Sequence, residues 1–298
     1  MTDASRSETV AVIGTGYMGR SIARCFGATG FRVRAYDVRA EAVAAFVRDE
    51  DAAWLTGSAT LEEAVADCGV VVEAAAEDVG VKADVLDRIS AAAPADCMVA
   101  TNTSSLDVDQ LAQHVQGPER FIGLHFFGPA ELVPGVEVVV GKQTSPDTAK
   151  AAVDLVERIG KRPSTVVSAP GFVANRLQMA LFLESLRCVE EGLVSMDALD
   201  TIVSSTIGFR LPAFGPFAIA DMAGLDVYAS ILGILEAAYG DRFATPARLT
   251  ELVAEGRHGL KTGGGFCDYD AAEAAALVEH RDQMYRRLAD CLRDAAKA

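Results

Sequence analysis

Gly14, Gly16 and Gly19 form a G-x-G-x-x-G run in GTGYMG. It directly follows an apolar stretch, Glu8 to Ile13, and opens a helix-periodic one, Met18 to Thr29. In a strand–turn–helix setting each glycine has its own reason. Gly14 permits the tight turn, Gly16 lets the backbone approach a pyrophosphate, and Gly19 lets helix and strand pack closely. The helix N-terminus offers free N–H groups and a positive dipole end to the phosphates. Tyr17 and Met18 lie inside this turn and join the expected cofactor contacts. Asp37 closes the next strand-like run, Phe31 to Tyr36, where a ribose-binding acid belongs. A carboxylate there accepts from both ribose hydroxyls and repels a 2′-phosphate, so NAD is the predicted cofactor. Arg34 and Arg39 keep NADP open as an alternative.

The elements that must position these groups follow from periodicity. Strands are predicted at 8–13, 31–36, 70–73, 98–101, 121–124, 136–140 and 163–168, with helices at 18–29, 41–48, 79–92, 106–114 and 146–159. Alternating strands and helices imply βαβ crossovers and a mainly parallel, doubly wound α/β sheet of Rossmann type. The texture changes at Ala169-Pro170-Gly171, after which helical periods dominate, at 172–191, 196–207, 216–238 and 271–297. The expected division is a dinucleotide-binding domain over residues 1–169 and an all-α domain over 170–298.

Composition bounds the rest. The chain has 298 residues, half of them hydrophobic, which suffices for one or two cored domains. A net charge of −15 argues against a nucleic-acid binder. The stretch Met1 to Glu8 is polar and lacks a signal-peptide core, and no apolar run is long enough to span a bilayer. Six cysteines show no Cys-x-x-Cys spacing and the four histidines are scattered, so no metal site is expected. The expectation is a cytoplasmic protein without a membrane or nucleic-acid partner.

Several further segments, taken together, point to one family. VVEAAAED (71–78), TNTSSL (101–106), LHFFGP (124–129), VEVV (136–139), GFVANR (171–176), GPFAIADMAGLD (215–226) and KTGGGF (261–266) occur in order after GTGYMG. With these motifs the chain resembles the L-3-hydroxyacyl-CoA dehydrogenases. The resemblance implies an NAD-dependent oxidoreductase acting on a hydroxyacyl thioester, with a homodimer built on the helical domain. It implies that His125 is the general base, Glu137 its orienting acid, and Ser104 and Asn175 donors to the reacting oxygen. It places Glu77 and Lys82 near the nicotinamide ribose and Asn102 near the cofactor. The chemistry is coherent, because an alcohol must lose a proton as its hydride leaves and imidazole suits that task near neutral pH. Donors aimed at the reacting oxygen stabilise its developing charge. The segment Gly128 to Gly135 turns the chain, and a hairpin centred near Glu131 would set residues 125 and 137 opposite each other. Ser104 has a competing reading as a helix N-cap, unless Ser105 or Asp107 caps instead. Lys261 with Gly263 to Gly265 reads as a structural loop.

Two departures from the family stand out. Gly128 replaces an asparagine (HFFNP), which removes an amide from the site. The span from Asp37 to Val70 is short where family members carry a helical hairpin that helps hold CoA. In both respects the chain is similar to shortened relatives in polyketide extender-unit biosynthesis that oxidise hydroxyacyl or glyceryl groups on an acyl carrier protein. Arg20, Arg24, Arg32, Arg34, Arg39 and Arg48 are either a docking patch for such a carrier or a face balanced by nearby acids. Two rival functions remain. One is oxidation of a free small hydroxyacid, which in its own family uses a lysine where this chain has Asn175 and Arg176. The other is a catalytically idle NAD-binding protein.

Overall fold

The computed structural model of the chain describes residues 8–295. Of the N-terminal polar stretch only Glu8 is among them, and Lys297 at the end of the last expected helix lies outside. The described residues form two units that divide between Phe182 and Leu183.

The first unit is built on eight strands: β1 (Thr9–Ile13), β2 (Arg32–Tyr36), β3 (Leu55–Gly57), β4 (Val70–Glu73), β5 (Met98–Thr101), β6 (Phe121–Phe126), β7 (Gly135–Val140) and β8 (Arg162–Val167). They lie in one sheet in the order β3-β2-β1-β4-β5-β6-β7-β8. All neighbours are parallel except β6 and β7, which form an antiparallel hairpin. Every residue of β1, β4 and β6 is buried, as expected for central strands covered on both faces. One face is covered by α1 (Tyr17–Ala28), α2 (Ala40–Glu50) and α6 (Pro146–Arg158), through Ile22, Phe26, Phe46, Leu155 and Val156. The other face is covered by α3 (Leu61–Val65), α4 (Val79–Ala92) and α5 (Val108–Leu111), through Leu61, Leu86, Ile89 and Leu111. This is the doubly wound α/β fold expected from the sequence. The chain crosses from one side of β1 to the other between β3 and β4, so the carboxyl ends of β1, β2 and β4 open a crevice at the switch point.

The short edge strand β3 was not foreseen. It has three residues, two of them exposed, so it shows no alternation to read. Helix α7 (Ala174–Glu190) crosses the division between the units.

The second unit is helical: α8 (Met196–Ile202), α9 (Gly208–Arg210), α10 (Pro216–Ala223), α11 (Leu225–Tyr239), α12 (Ala247–Ala254) and α13 (Ala271–Ala295). Two expected helices are corrected. Residues 203–207 are wound as a π-helix rather than continuing α8. The expected helix over 216–238 is broken at Gly224, whose φ of +105° is outside the range of L side chains, and the two halves bend by 100°. Ala220, Leu225, Leu249 and Leu252 form the small core of this unit. The KTGGGF segment is a structural loop, as read. The buried Asp221 carboxylate accepts from Phe266 N, Cys267 N and the Tyr269 hydroxyl at 2.9–3.1 Å. No single helix among the described residues is long and apolar enough to cross a membrane.

Candidate active site

The glycine turn has the geometry its spacing predicts. A Cβ at Gly14 would collide with the Ala74 carbonyl, and one at Gly19 with the carbonyl of Gly14. Gly16, at the N-cap of α1, would meet nothing within 4 Å. The space in front of it is a cradle at a helix N-terminus, which fits a pyrophosphate. The cleft there measures about 570 Å³ and is lined by Gly14, Gly16, Tyr17, Met18, Asp37, Ala74, Ala75 and Arg88 among others. Asp37 stands at the carboxyl end of β2. Its Oδ2 accepts from Thr15 N (2.7 Å) and the Thr15 hydroxyl (3.0 Å), and its Oδ1 from Arg39 N (3.0 Å). Burial opposes its ionisation, but these hydrogen bonds prevail and hold its pKa below 3.8.

At the other end of the sheet the β6–β7 hairpin pairs His125 with Glu137 in register. The symmetry axis is the one expected, since Gly123 faces Val139 and Phe126 faces Val136. The His125 Nδ1–H donates to Glu137 Oε2 at 2.8 Å, and both residues are buried. Glu137 Oε1 accepts from Val173 N (3.1 Å) and Ala174 N (2.9 Å), at the start of α7. The chain reaches this position through Phe172, which is 2% exposed and takes φ +50°, a rare conformation for a bulky residue. Its ring lies 5.5 Å from the His125 ring, and that of Phe127 at 4.4 Å. His125 Nε2 has no hydrogen-bond partner among the described residues. No buried side-chain nitrogen or oxygen among them is left unpartnered, so Nε2 opens to solvent.

Between these two ends lies an acid-centred network. Glu77 Oε1 accepts from the Thr103 hydroxyl (2.7 Å), Ser104 N (2.8 Å), the Ser104 hydroxyl (3.2 Å) and Ser105 N (3.2 Å). It thereby gathers the TNTSSL loop. Asp107 caps α5, leaving Ser104 out of that role. Asn175 Nδ2 donates to the Ser104 carbonyl at 2.7 Å, which joins the start of α7 to the same loop. Asn102 holds β6 in place, its Oδ1 accepting from Phe126 N at 2.9 Å. Lys82 is 1% exposed and its main partner is Glu73, with Nζ–O distances of 2.8 and 3.1 Å, while Glu77 Oε2 lies at 3.5 Å. Glu73 also accepts from Ala75 N (2.7 Å) and the Thr101 hydroxyl (2.6 Å).

Sequence reasoning missed Glu73 and Phe172. Glu73 ends an otherwise apolar strand, and an acid closing such a run just before the sheet's carboxyl edge was the available signal. Five of the six arginines of the N-terminal cluster stand within ion-pair distance of an acid. Arg20 pairs with Asp49, Arg24 with Glu50 and Glu131, Arg34 with Asp67, Arg39 with Asp37 and Arg48 with Asp49.

The NAD-binding domain of the 3-hydroxyacyl-CoA dehydrogenases matches residues 9–54 and 46–169, and the C-terminal domain of the same enzymes matches 171–269. The chain belongs to the 3-hydroxyacyl-CoA dehydrogenase family. It is an NAD-dependent oxidoreductase of the CH–OH group. The two N-terminal stretches overlap over residues 46–54, within the short span from Asp37 to Val70. The chain is 35% identical over 282 residues to the probable 3-hydroxybutyryl-CoA dehydrogenase of Bacillus subtilis, covering 88% of this chain and 97% of that protein. It is 33% identical over 290 residues to the 5-formyl-3-hydroxy-2-methylpyridine 4-carboxylate 5-dehydrogenase of Mesorhizobium japonicum, covering 91% and 94%. The crystal structure of a 3-hydroxyacyl-CoA dehydrogenase from Archaeoglobus fulgidus superposes with a TM-score of 0.83 at 30% identity, over 94% of this chain and 99% of that one.

Proposed function

We propose that this dehydrogenase oxidises the hydroxyl of a short hydroxyacyl thioester, with His125 as general base. The observation that supports this most is the oriented pair. A Glu137 carboxylate that accepts Nδ1–H fixes the tautomer with its lone pair on Nε2, the nitrogen open to solvent. Glu137 is itself pinned by two amides of α7, whose N-terminal dipole favours a negative charge there. The pair therefore takes the hydroxyl proton on Nε2 and stabilises the imidazolium that forms. Glu77 holds the Ser104 backbone N–H at 2.8 Å, so the Ser104 hydroxyl can leave its longer 3.2 Å bond to Glu77 and donate its one proton to the reacting oxygen. Asn175 positions Ser104 through the Ser104 carbonyl and keeps a second amide N–H for the substrate. The cleft around Gly16 and Asp37 holds NAD, with Tyr17, Met18, Gly14 and Gly19 shaping it and Glu77, Lys82 and Asn102 supporting its far end. Bound NAD supplies the hydride acceptor.

The thioester carrier is the finer part of the proposal. CoA is the first reading, in keeping with the names of the relatives from B. subtilis and A. fulgidus. An acyl carrier protein is the second, favoured by the short span between Asp37 and Val70, which holds only α2, β3 and α3. A homodimer through the helical unit is also proposed, because Leu193, Met196, Phe217 and Ile234 are each more than 60% exposed. The test is NADH formation with matched 3-hydroxybutyryl-CoA and 3-hydroxybutyryl carrier-protein thioesters, and with free 3-hydroxybutyrate. Turnover of a thioester and none of the free acid is expected. Turnover of the free acid alone would overturn the proposal.

A further inference from the structure

Gly128, three residues after His125, lies directly beneath the side chain of Tyr17. A Cβ built at Gly128 would stand 2.7 Å from Tyr17 Cε1, 3.3 Å from the Tyr17 hydroxyl and 3.2 Å from Met18 Sδ. The ring therefore fills the direction in which any side chain at position 128 would project, and only glycine fits there without movement. Tyr17 is the first residue of α1, immediately after Gly16, and lines the dinucleotide cleft. It spans from the glycine turn to the segment that follows the His125 strand. Tyr17 is 67% exposed, and its hydroxyl has no hydrogen-bond partner among the described residues.

We infer that Tyr17 is a substrate-contacting residue whose hydroxyl donates a hydrogen bond to the acyl carbonyl oxygen, from the place an amide at position 128 would otherwise occupy. This rests on the thioester reading above. A hydroxyacyl group presents two oxygens. His125 Nε2 and Ser104 serve the hydroxyl, which leaves the thioester carbonyl in need of a donor. A phenol is a donor at neutral pH, and this one is exposed, unpartnered and held at the join of the cofactor cleft and the catalytic hairpin. The missing side chain at position 128 and the tyrosine at position 17 are thus two halves of one arrangement.

The test is a set of variants assayed with the best thioester substrate, together with NADH affinity by fluorescence and the thermal midpoint. Tyr17→Phe keeps the ring and removes only the hydroxyl. It should lower kcat/KM about tenfold, as for one lost hydrogen bond, with NADH affinity and thermal midpoint unchanged. Gly128→Asn should impair the enzyme while Tyr17 is present, and Tyr17→Ala with Gly128→Asn should be more active than either single variant. Wild-type rates for Tyr17→Phe, or a harmless Gly128→Asn beside an intact Tyr17, would overturn the inference. Absence of thioester turnover in the wild type would instead remove the functional reading on which it rests.

Discussion

Glu137→Gln is the sharpest perturbation, because glutamine keeps the shape and removes one acceptor. Glu137 accepts three hydrogen bonds in a site that is 5% exposed, one from His125 and two from the amides of Val173 and Ala174. A glutamine has one acceptor oxygen and one NH2 group, so one side must fail. If its oxygen faces His125, the NH2 confronts two backbone donors, and each unmatched buried donor costs about 1–3 kcal/mol. If its oxygen faces the amides, the NH2 confronts Nδ1. The imidazole must then place its proton on Nε2, which abolishes the base. A carboxylate-to-amide change behind a catalytic histidine lowers kcat about 10⁴-fold in a hydrolase triad. Between the two orientations we expect kcat/KM to fall about 10³-fold, or roughly 4 kcal/mol of transition-state stabilisation. NADH affinity should be unchanged, because Glu137 does not line the dinucleotide cleft. The assay is thioester-dependent NADH formation beside NADH fluorescence. A Glu137→Gln enzyme as fast as the wild type would refute the orienting role.

Three other outcomes follow from the same network. Lys82→Met should destabilise the protein by about 3–5 kcal/mol in chemical denaturation, because it strands the fully buried Glu73 carboxylate, and adding Glu73→Gln should restore part of the loss. Asp37→Ala should raise KM for NAD roughly 10–100-fold, the worth of one or two hydrogen bonds to a charged group, and narrow the preference for NAD over NADP in steady-state assays. Glu77 is held below its ordinary pKa of 4.5: burial opposes this, and the hydrogen bonds from Thr103 and Ser104 and the charge of Lys82 outweigh it. Its stabilising contribution is therefore complete above about pH 4.5 and is lost as pH falls through the lower folded value. Thermal midpoints recorded against pH should fall less steeply in Glu77→Gln over that acid window.

What could be read in the sequence was whatever depended on short-range pattern. The glycine turn and Asp37 follow local rules, and the hairpin centred at Glu131 brought His125 and Glu137 into register by symmetry alone. The rest depended on distant partners. Lys82 and Glu77 share a helix start and read as a pair, but the stronger partner, Glu73, comes from the strand before it. The role of Phe172 depends on a backbone angle that no residue type announces. The arginines between 20 and 48 look like a basic patch in one dimension, and only the fold shows acids such as Asp49, Asp67 and Glu131 beside them. The Gly224 break was missed because apolar periods run through it on both sides. Gly128 was legible as a departure from the family, whereas the ring above it was not, because positions 17 and 128 meet only in the folded chain.

The central claim is that His125 takes the hydroxyl proton of a hydroxyacyl thioester. Its most direct test is NADH formation from 3-hydroxybutyryl-CoA and its carrier-protein analogue by the wild type and His125→Gln. The account predicts turnover by the wild type and a loss on the order of 10³-fold or more in the variant, with NADH binding intact. Equal turnover by the two proteins would contradict it.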